Sequence, residues 1–129
     1  MKTLTNIQFG ALGERFAAGI LKKIGYKILE KNYKNKLGEI DLIAQDRGEL
    51  VFVEVKTRAT DPYLSGSHAV DREKRFHIMR TAAVYSQDYP DLQPRFDILE
   101  LELDRATGRL TDFNHIKNAY WQTEDYARF

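Results

Sequence analysis

Three charged side chains on two apolar stretches carry the most distinctive chemistry in this chain. Glu39–Ala44 (Glu-Ile-Asp-Leu-Ile-Ala) and Leu50–Thr57 (Leu-Val-Phe-Val-Glu-Val-Lys-Thr) have the composition of strands, and the polar run Gln45–Glu49 between them reads as a turn. If that hairpin closes through two or four residues, Asp41 stands opposite Glu54, and Glu39 opposite Lys56. A three-residue loop would put Asp41 on the other face unless a bulge restored it. Two carboxylates side by side repel unless a cation or a proton lies between them. A hard cation such as Mg²⁺ suits that arrangement, taking one or two carboxylates and completing its shell with water and phosphate oxygens. Lys56 shares the Glu54 face by alternation however the hairpin closes, and an ammonium there could position an attacking water and neutralise charge developing at phosphorus. The rival arrangement is a surface salt bridge among Glu54, Lys56 and Glu39, the commoner fate of an acidic-x-Lys tripeptide taken alone. Asp41 in the facing strand, with apolar residues around it, tips the balance towards the metal-centred arrangement.

These groups need a scaffold. Ile7–Ile24 predicts a helix with Leu12, Phe16, Ala17, Ile20, Leu21 and Ile24 on one broad arc, ended by Gly25. Gly10, Gly13 and Ala17 lie within that arc, where small residues let a helix approach a sheet, and Glu14 sits at its edge, able to point along the sheet surface. Tyr26–Leu29 predicts a short strand, followed by a polar connection through Asn32–Gly38. Leu50–Val53 is apolar on both faces, as in a strand covered on both sides. A second helix is expected from His68 or Asp71 to Tyr85, then a hairpin of Arg95–Leu103 and Leu110–Ile116 around Ala106-Thr107-Gly108. The order α-β-β-β-α-β-β predicts an α/β fold, a mixed sheet with helices packed on it.

Composition sets the bounds. The chain has 129 residues, 43% hydrophobic and 12% aromatic, enough for a packed core, and no repeat or linker divides it, so 1–129 reads as one domain. It contains no cysteine, which excludes disulfides, thiolate metal sites and a cysteine nucleophile. No apolar stretch approaches the roughly 20 residues of a membrane helix, and Met1–Asn6 does not resemble the start of a secretory signal, so the expectation is a soluble, cytoplasmic protein with no membrane partner. The net charge of +1 conceals a division: residues 1–58 hold 11 basic and 7 acidic groups, and residues 59–129 hold 9 and 12. Lys22, Lys23, Lys27, Lys31, Lys34 and Lys36 fall in one stretch against Glu30 alone. Such a cluster is usually a solvated face, and its position relative to a site decides whether it meets phosphates.

Asp41 followed by Glu54-Val55-Lys56 resembles the Asp…(Asp/Glu)-x-Lys signature of the PD-(D/E)XK nuclease superfamily. Gly13-Glu14 with Ala17, Gly25-Tyr26, Gly38-Glu39-Ile40-Asp41-Leu42-Ile43-Ala44, Val51–Arg58 and Arg95-Phe96-Asp97 narrow the resemblance to the YraN-like uncharacterised family of bacteria, which is similar to archaeal Holliday-junction resolvases. The likeness runs from about Phe9 to Asp97. It implies a restriction-endonuclease-like α-β-β-β-α-β core. It also implies that Asp41, Glu54 and the Val55 carbonyl bind Mg²⁺ or Mn²⁺, that Lys56 positions the nucleophile, and that Glu14 is the helix carboxylate that reaches the metal through water. Ile40 stands where the superfamily's eponymous proline would be, and no second-helix Gln or Lys is fixed by spacing, Lys74 being the best placed.

The function expected is a metal-dependent endonuclease that hydrolyses DNA phosphodiesters. Lys31, Lys34, Lys36, Arg58 and Lys74 would contact flanking phosphates. Branched DNA is the substrate suggested by analogy with the resolvases, and a homodimer would suit paired incisions. Two alternatives stand beside it: a non-catalytic nucleic-acid-binding module of a repair, recombination or uptake complex, and an adaptor whose acidic C-terminal half docks a partner. His68, His77 and His115 have no metal-ligand spacing and read as structural or exposed. Tyr63, Tyr120 and Trp121 could stack on bases, although aromatics so placed usually cover a core edge.

Overall fold

The computed structural model describes residues 4–60 and 72–120. His68, Tyr63, Trp121 and the expected helix start at Asp71 lie outside the described residues. Helix α1 (Asn6–Lys23) opens on a capping box: Thr5 accepts from the Gln8 N–H, and the Gln8 side chain accepts from the Thr5 N–H. It closes at Ile24, with Gly25 in the left-handed region at φ 99°, as its position in the sequence predicts. Strands β1 (Lys27–Asn35), β2 (Gly38–Asp46) and β3 (Glu49–Ala59) follow, then α2 (Arg72–Ser86), β4 (Gln93–Leu103) and β5 (Leu110–Tyr120). The strands form one sheet in the order β1-β2-β3-β4-β5. Among the described strands only β3 and β4 pair in parallel, joined by the crossover that contains α2. The α/β order and the mixed sheet flanked by helices are those the sequence predicts.

Two clusters fill the two sides. Leu42, Ala44, Val51, Val53, Leu99 and Leu101 meet Ala17, Ala18 and Leu21 of α1; Ile43, Leu50, Phe52, Phe96 and Ile98 meet Ile78, Met79, Ala82 and Tyr85 of α2. Leu50–Val53 is at most 1% exposed, so the run apolar on both faces is indeed a doubly covered strand. Tyr120, stacked on Phe96 at 5.3 Å, belongs to the α2-side core.

One sequence expectation is corrected. The polar connection placed at Asn32–Gly38 is largely strand: β1 continues to Asn35 and only Lys36-Leu37 turns. Backbone pairing with β2 offsets its polar composition, Tyr33 reaches the core, and Asn32 takes φ 52° on the edge of the sheet.

Of the three small residues on the α1 arc, Gly13 and Ala17 make the close approach and Gly10 does not. A Cβ added at Gly13 collides with the Thr57 side chain on β3, whereas one at Gly10 meets nothing within 4 Å. Gly13→Ala should therefore push α1 off β3 and lower stability by about 1–3 kcal/mol. Gly10→Ala should be neutral or stabilising. Thermal denaturation of the two variants checks the contrast.

Candidate metal centre and active site

The β2–β3 hairpin closes on Arg47-Gly48, pairing Asp46 with Glu49 and Leu42 with Val53. This two-residue closure is one of the registers that brings position 41 opposite position 54. The backbone ladder stops there. The Val55 N–H donates instead to Asp41 Oδ2 at 2.8 Å, so a side chain occupies the place of the next strand pair. Alternation on β2 breaks at the same point, since Ile40 and Ile43 both join the α2-side cluster. The expectation of simple face-sharing is thereby refined: the Asp41 carboxylate enters the gap between the two strands. The Val55 carbonyl, on the same side of its strand as the N–H, opens towards that gap.

Two carboxylates meet there, with a third within electrostatic reach. Glu54 follows Phe52 onto the α2 side and is 6% exposed, while Glu14 comes from α1 on the other side. Asp41 is pushed up to about 7 by burial first and then by the negative charge of Glu54, with a smaller push from Glu14; the Val55 N–H opposes these and does not cancel them. Among the described residues no group of three or more His, Cys, Asp or Glu side chains is placed to hold a metal ion. The donors present, two adjacent carboxylates with a backbone carbonyl, fit a hard cation that keeps several waters and not a zinc cage.

Lys74, whose spacing fixed no role, ion-pairs through Nζ with Glu54 Oε1. It is therefore a partner of the site carboxylates and not an ordinary solvated helix lysine. The surface salt bridge considered for Glu54, Lys56 and Glu39 is not what forms: Glu54 is buried, and Glu39 lies 3.6 Å from Lys34 with both side chains exposed. Lys56 is partly buried two residues beyond Glu54 on the same face of β3. Removing the Lys74 charge leaves a buried carboxylate without its counter-ion. Lys74→Ala should lose about 1–3 kcal/mol in the absence of metal and regain much of it when Mg²⁺ is added. Thermal shifts with and without Mg²⁺ read this out.

The register also places the lysine-rich stretch. Lys31 pairs with Leu42 and Lys34 with Glu39, so two exposed lysines bracket Asp41 on the neighbouring strand, and Lys36 lies in the turn at the same end of the sheet. Arg58 lies further along β3, its guanidinium 2.7 Å from Glu102.

Sequence reasoning missed a second polar network, at the far end of the sheet. Arg95, 6% exposed, donates to both oxygens of the fully buried Asp97 at 2.9 and 3.0 Å, to Asp46 and Glu49 at the hairpin ends, and to the Tyr26 hydroxyl. Asp97 also accepts from the Asn118 N–H and bonds His115 Nε2. Burial would raise Asp97, yet these donors hold it below the usual carboxylate range. The signal that could have found it was Arg95-Phe96-Asp97, two opposite charges on the face of β4 that continues as Leu99, Leu101 and Leu103. His115 is thus structural, as expected, while His77 is exposed near Glu73.

A family model described as uncharacterised protein family UPF0102 matches residues 13–101. The chain is 48% identical over 122 residues to the UPF0102 protein TTE1452 of Caldanaerobacter subterraneus subsp. tengcongensis, covering 93% of this chain and 100% of that one. It is 40% identical over 119 residues to a UPF0102 protein of Dictyoglomus thermophilum, covering 91% and 100%. Among solved structures, a fdxN element excision controlling factor protein from Anabaena variabilis aligns with 80% of this chain and 98% of its own at 15% identity and a TM-score of 0.39. Among the described residues no helix is long and apolar enough to cross a membrane.

Proposed function

The chain belongs to uncharacterised protein family UPF0102, and from its carboxylate geometry we propose that it is a metal-dependent endonuclease hydrolysing DNA phosphodiesters. The observation that carries this reading is Asp41 in the gap between β2 and β3, bonded to the Val55 N–H, with Glu54 beside it and Asp41 raised to about 7. Burying adjacent carboxylates is costly, and a bound cation would offset that cost alongside the Lys74 ammonium. Mg²⁺ or Mn²⁺ held by Asp41, Glu54 and the Val55 carbonyl would supply Lewis-acid stabilisation of the phosphodiester.

The remaining roles fall to the chain itself. Glu14 accepts a hydrogen bond from a water at the edge of the gap. Lys56 orients the attacking water towards phosphorus and offsets negative charge as the phosphorus–oxygen bond breaks. Lys74 holds the Glu54 carboxylate in place through its ion pair. Lys31, Lys34, Lys36 and Arg58 contact flanking phosphates, which position the strand and confer salt dependence without reading sequence. Branched DNA is the substrate class suggested by the resolvase resemblance, and a homodimer would deliver paired cuts.

The test is cleavage of duplex, single-stranded, flap and four-way DNA with Mg²⁺ or Mn²⁺, comparing wild type with Lys56→Ala. Loss of the ammonium that orients the water and offsets charge should lower the rate about 10²–10³-fold with DNA binding retained. Cleavage at the wild-type rate by Lys56→Ala would refute the assignment of that residue. DNA binding without cleavage by the wild type would transfer the chain to the non-catalytic module reading.

A further inference from the structure

The α1-covered face of the sheet, along its β5 edge, borders a cleft of about 770 Å³. Asp46, on its wall, is five residues along β2 from Asp41, about 17 Å in an extended strand. The hydrolytic reading makes no use of it.

Phe113 and Ile24, both on its walls, are 50% and 52% exposed, which leaves large apolar surface at water in a concave site. Three cations surround that surface from three separate elements: Lys23 in the last turn of α1, Arg47 at the β2–β3 turn and Lys117 on β5. Between them stands His115, only 10% exposed, its Nε2 fixed by Asp97 at 2.8 Å and its ring edge-on to Tyr26 at 5.9 Å. The buried Arg95–Asp97 pair holds this imidazole in one orientation, so Nε2 is committed to Asp97 while the ring borders the cleft. Phe113, His115 and Lys117 follow one another at period two on one face of the edge strand β5.

An exposed aromatic ring, a fixed imidazole and three converging cations match a planar base carrying a phosphate, since bases stack on aromatic faces and the phosphate is held by charge. We propose that this cleft binds a nucleotide unit, with the base on Phe113 and the phosphate among Lys23, Arg47 and Lys117. The unit is either a free nucleoside phosphate or one residue of a single strand, and the experiment distinguishes the two.

Amide spectra of the ¹⁵N-labelled full chain are recorded during titration with adenosine monophosphate and, separately, with a ten-nucleotide oligodeoxythymidylate, without divalent metal. Saturating shifts at Arg47, Phe113, His115 and Lys117 are expected. Phe113→Ala should weaken binding about five- to hundredfold, and Phe113→Tyr should restore it. Phe113 is half exposed, so its truncation leaves the core intact, and unchanged resonances elsewhere verify this. Saturation by the mononucleotide assigns the cleft to free nucleotides, and saturation by the oligonucleotide alone assigns it to a strand. No saturable shift at these residues with either probe, shifts confined to the surroundings of Asp41 and Glu54, or binding indifferent to Phe113→Ala would overturn the proposal. With no metal present and the responding residues at the β2–β3 turn and on edge strand β5, away from the gap that holds Asp41, none of these outcomes bears on hydrolysis.

Discussion

Asp41→Asn is expected to abolish Mg²⁺-dependent DNA cleavage and, in the absence of metal, to make the protein more stable at neutral pH. Asparagine keeps an oxygen for the Val55 N–H that now binds Asp41 at 2.8 Å, while the charge that burial and Glu54 oppose is gone. The sign of the pH dependence follows from the raised value of about 7 against an ordinary 3.8. Between those limits the unfolded chain releases the Asp41 proton while the folded chain retains it, so folding favours the protonated form. Stability due to this group is present in full below about pH 4 and is lost as pH rises through about 7. At pH 8 without metal, Asp41→Asn should gain about 1–3 kcal/mol, less than the full shift implies, because Asp41 is only partly buried and water screens part of the repulsion. Mg²⁺ affinity in the wild type should rise between pH 6 and 8 as the proton is displaced. Urea unfolding of wild type and variant at pH 5 and pH 8, each with and without Mg²⁺, reads all of this at once.

Asp97→Ala should have the opposite signature, a loss of about 3–5 kcal/mol at neutral pH that metal does not restore. The substitution strands Arg95 at 6% exposure without the carboxylate that takes two of its hydrogen bonds, and it releases His115 and the Asn118 N–H. Those contacts tie β4 to β5, and Arg95 in turn ties both to the hairpin ends at Asp46 and Glu49. Because Asp97 lies below the ordinary carboxylate range, its contribution is present above the unfolded value and disappears as pH falls through the folded one. Acid unfolding of the wild type should therefore include this group, and the variant should unfold more shallowly in acid. Denaturant midpoints at pH 7 and pH 4 test both statements.

The two strands of the central hairpin were legible because Leu50–Val53 is apolar on both faces, whereas its register was left open, and closure on Arg47-Gly48 selects a two-residue turn that brings position 41 opposite position 54. The Gly13 approach was legible for a steric reason, since only a residue without Cβ clears Thr57. Three things needed the third dimension. Strand β1 past Asn32 is polar, and what makes it a strand is pairing with β2, which composition does not record. Alternation could not place Asp41 in the strand gap, because the ladder breaks there and the side chain substitutes for backbone. The partner of Lys74 depends on how α2 docks over β3, a tertiary fact with no period in the sequence.

The central claim is that Asp41 and Glu54 hold one divalent cation. Crystals grown with Mn²⁺ and measured for anomalous scattering test it most directly. The account predicts one strong peak about 2.1 Å from an oxygen of each carboxylate, lost in Asp41→Asn crystals treated identically. Well-ordered crystals saturated with Mn²⁺ that show no peak between these two side chains, with Lys74 still seated on Glu54, would contradict it.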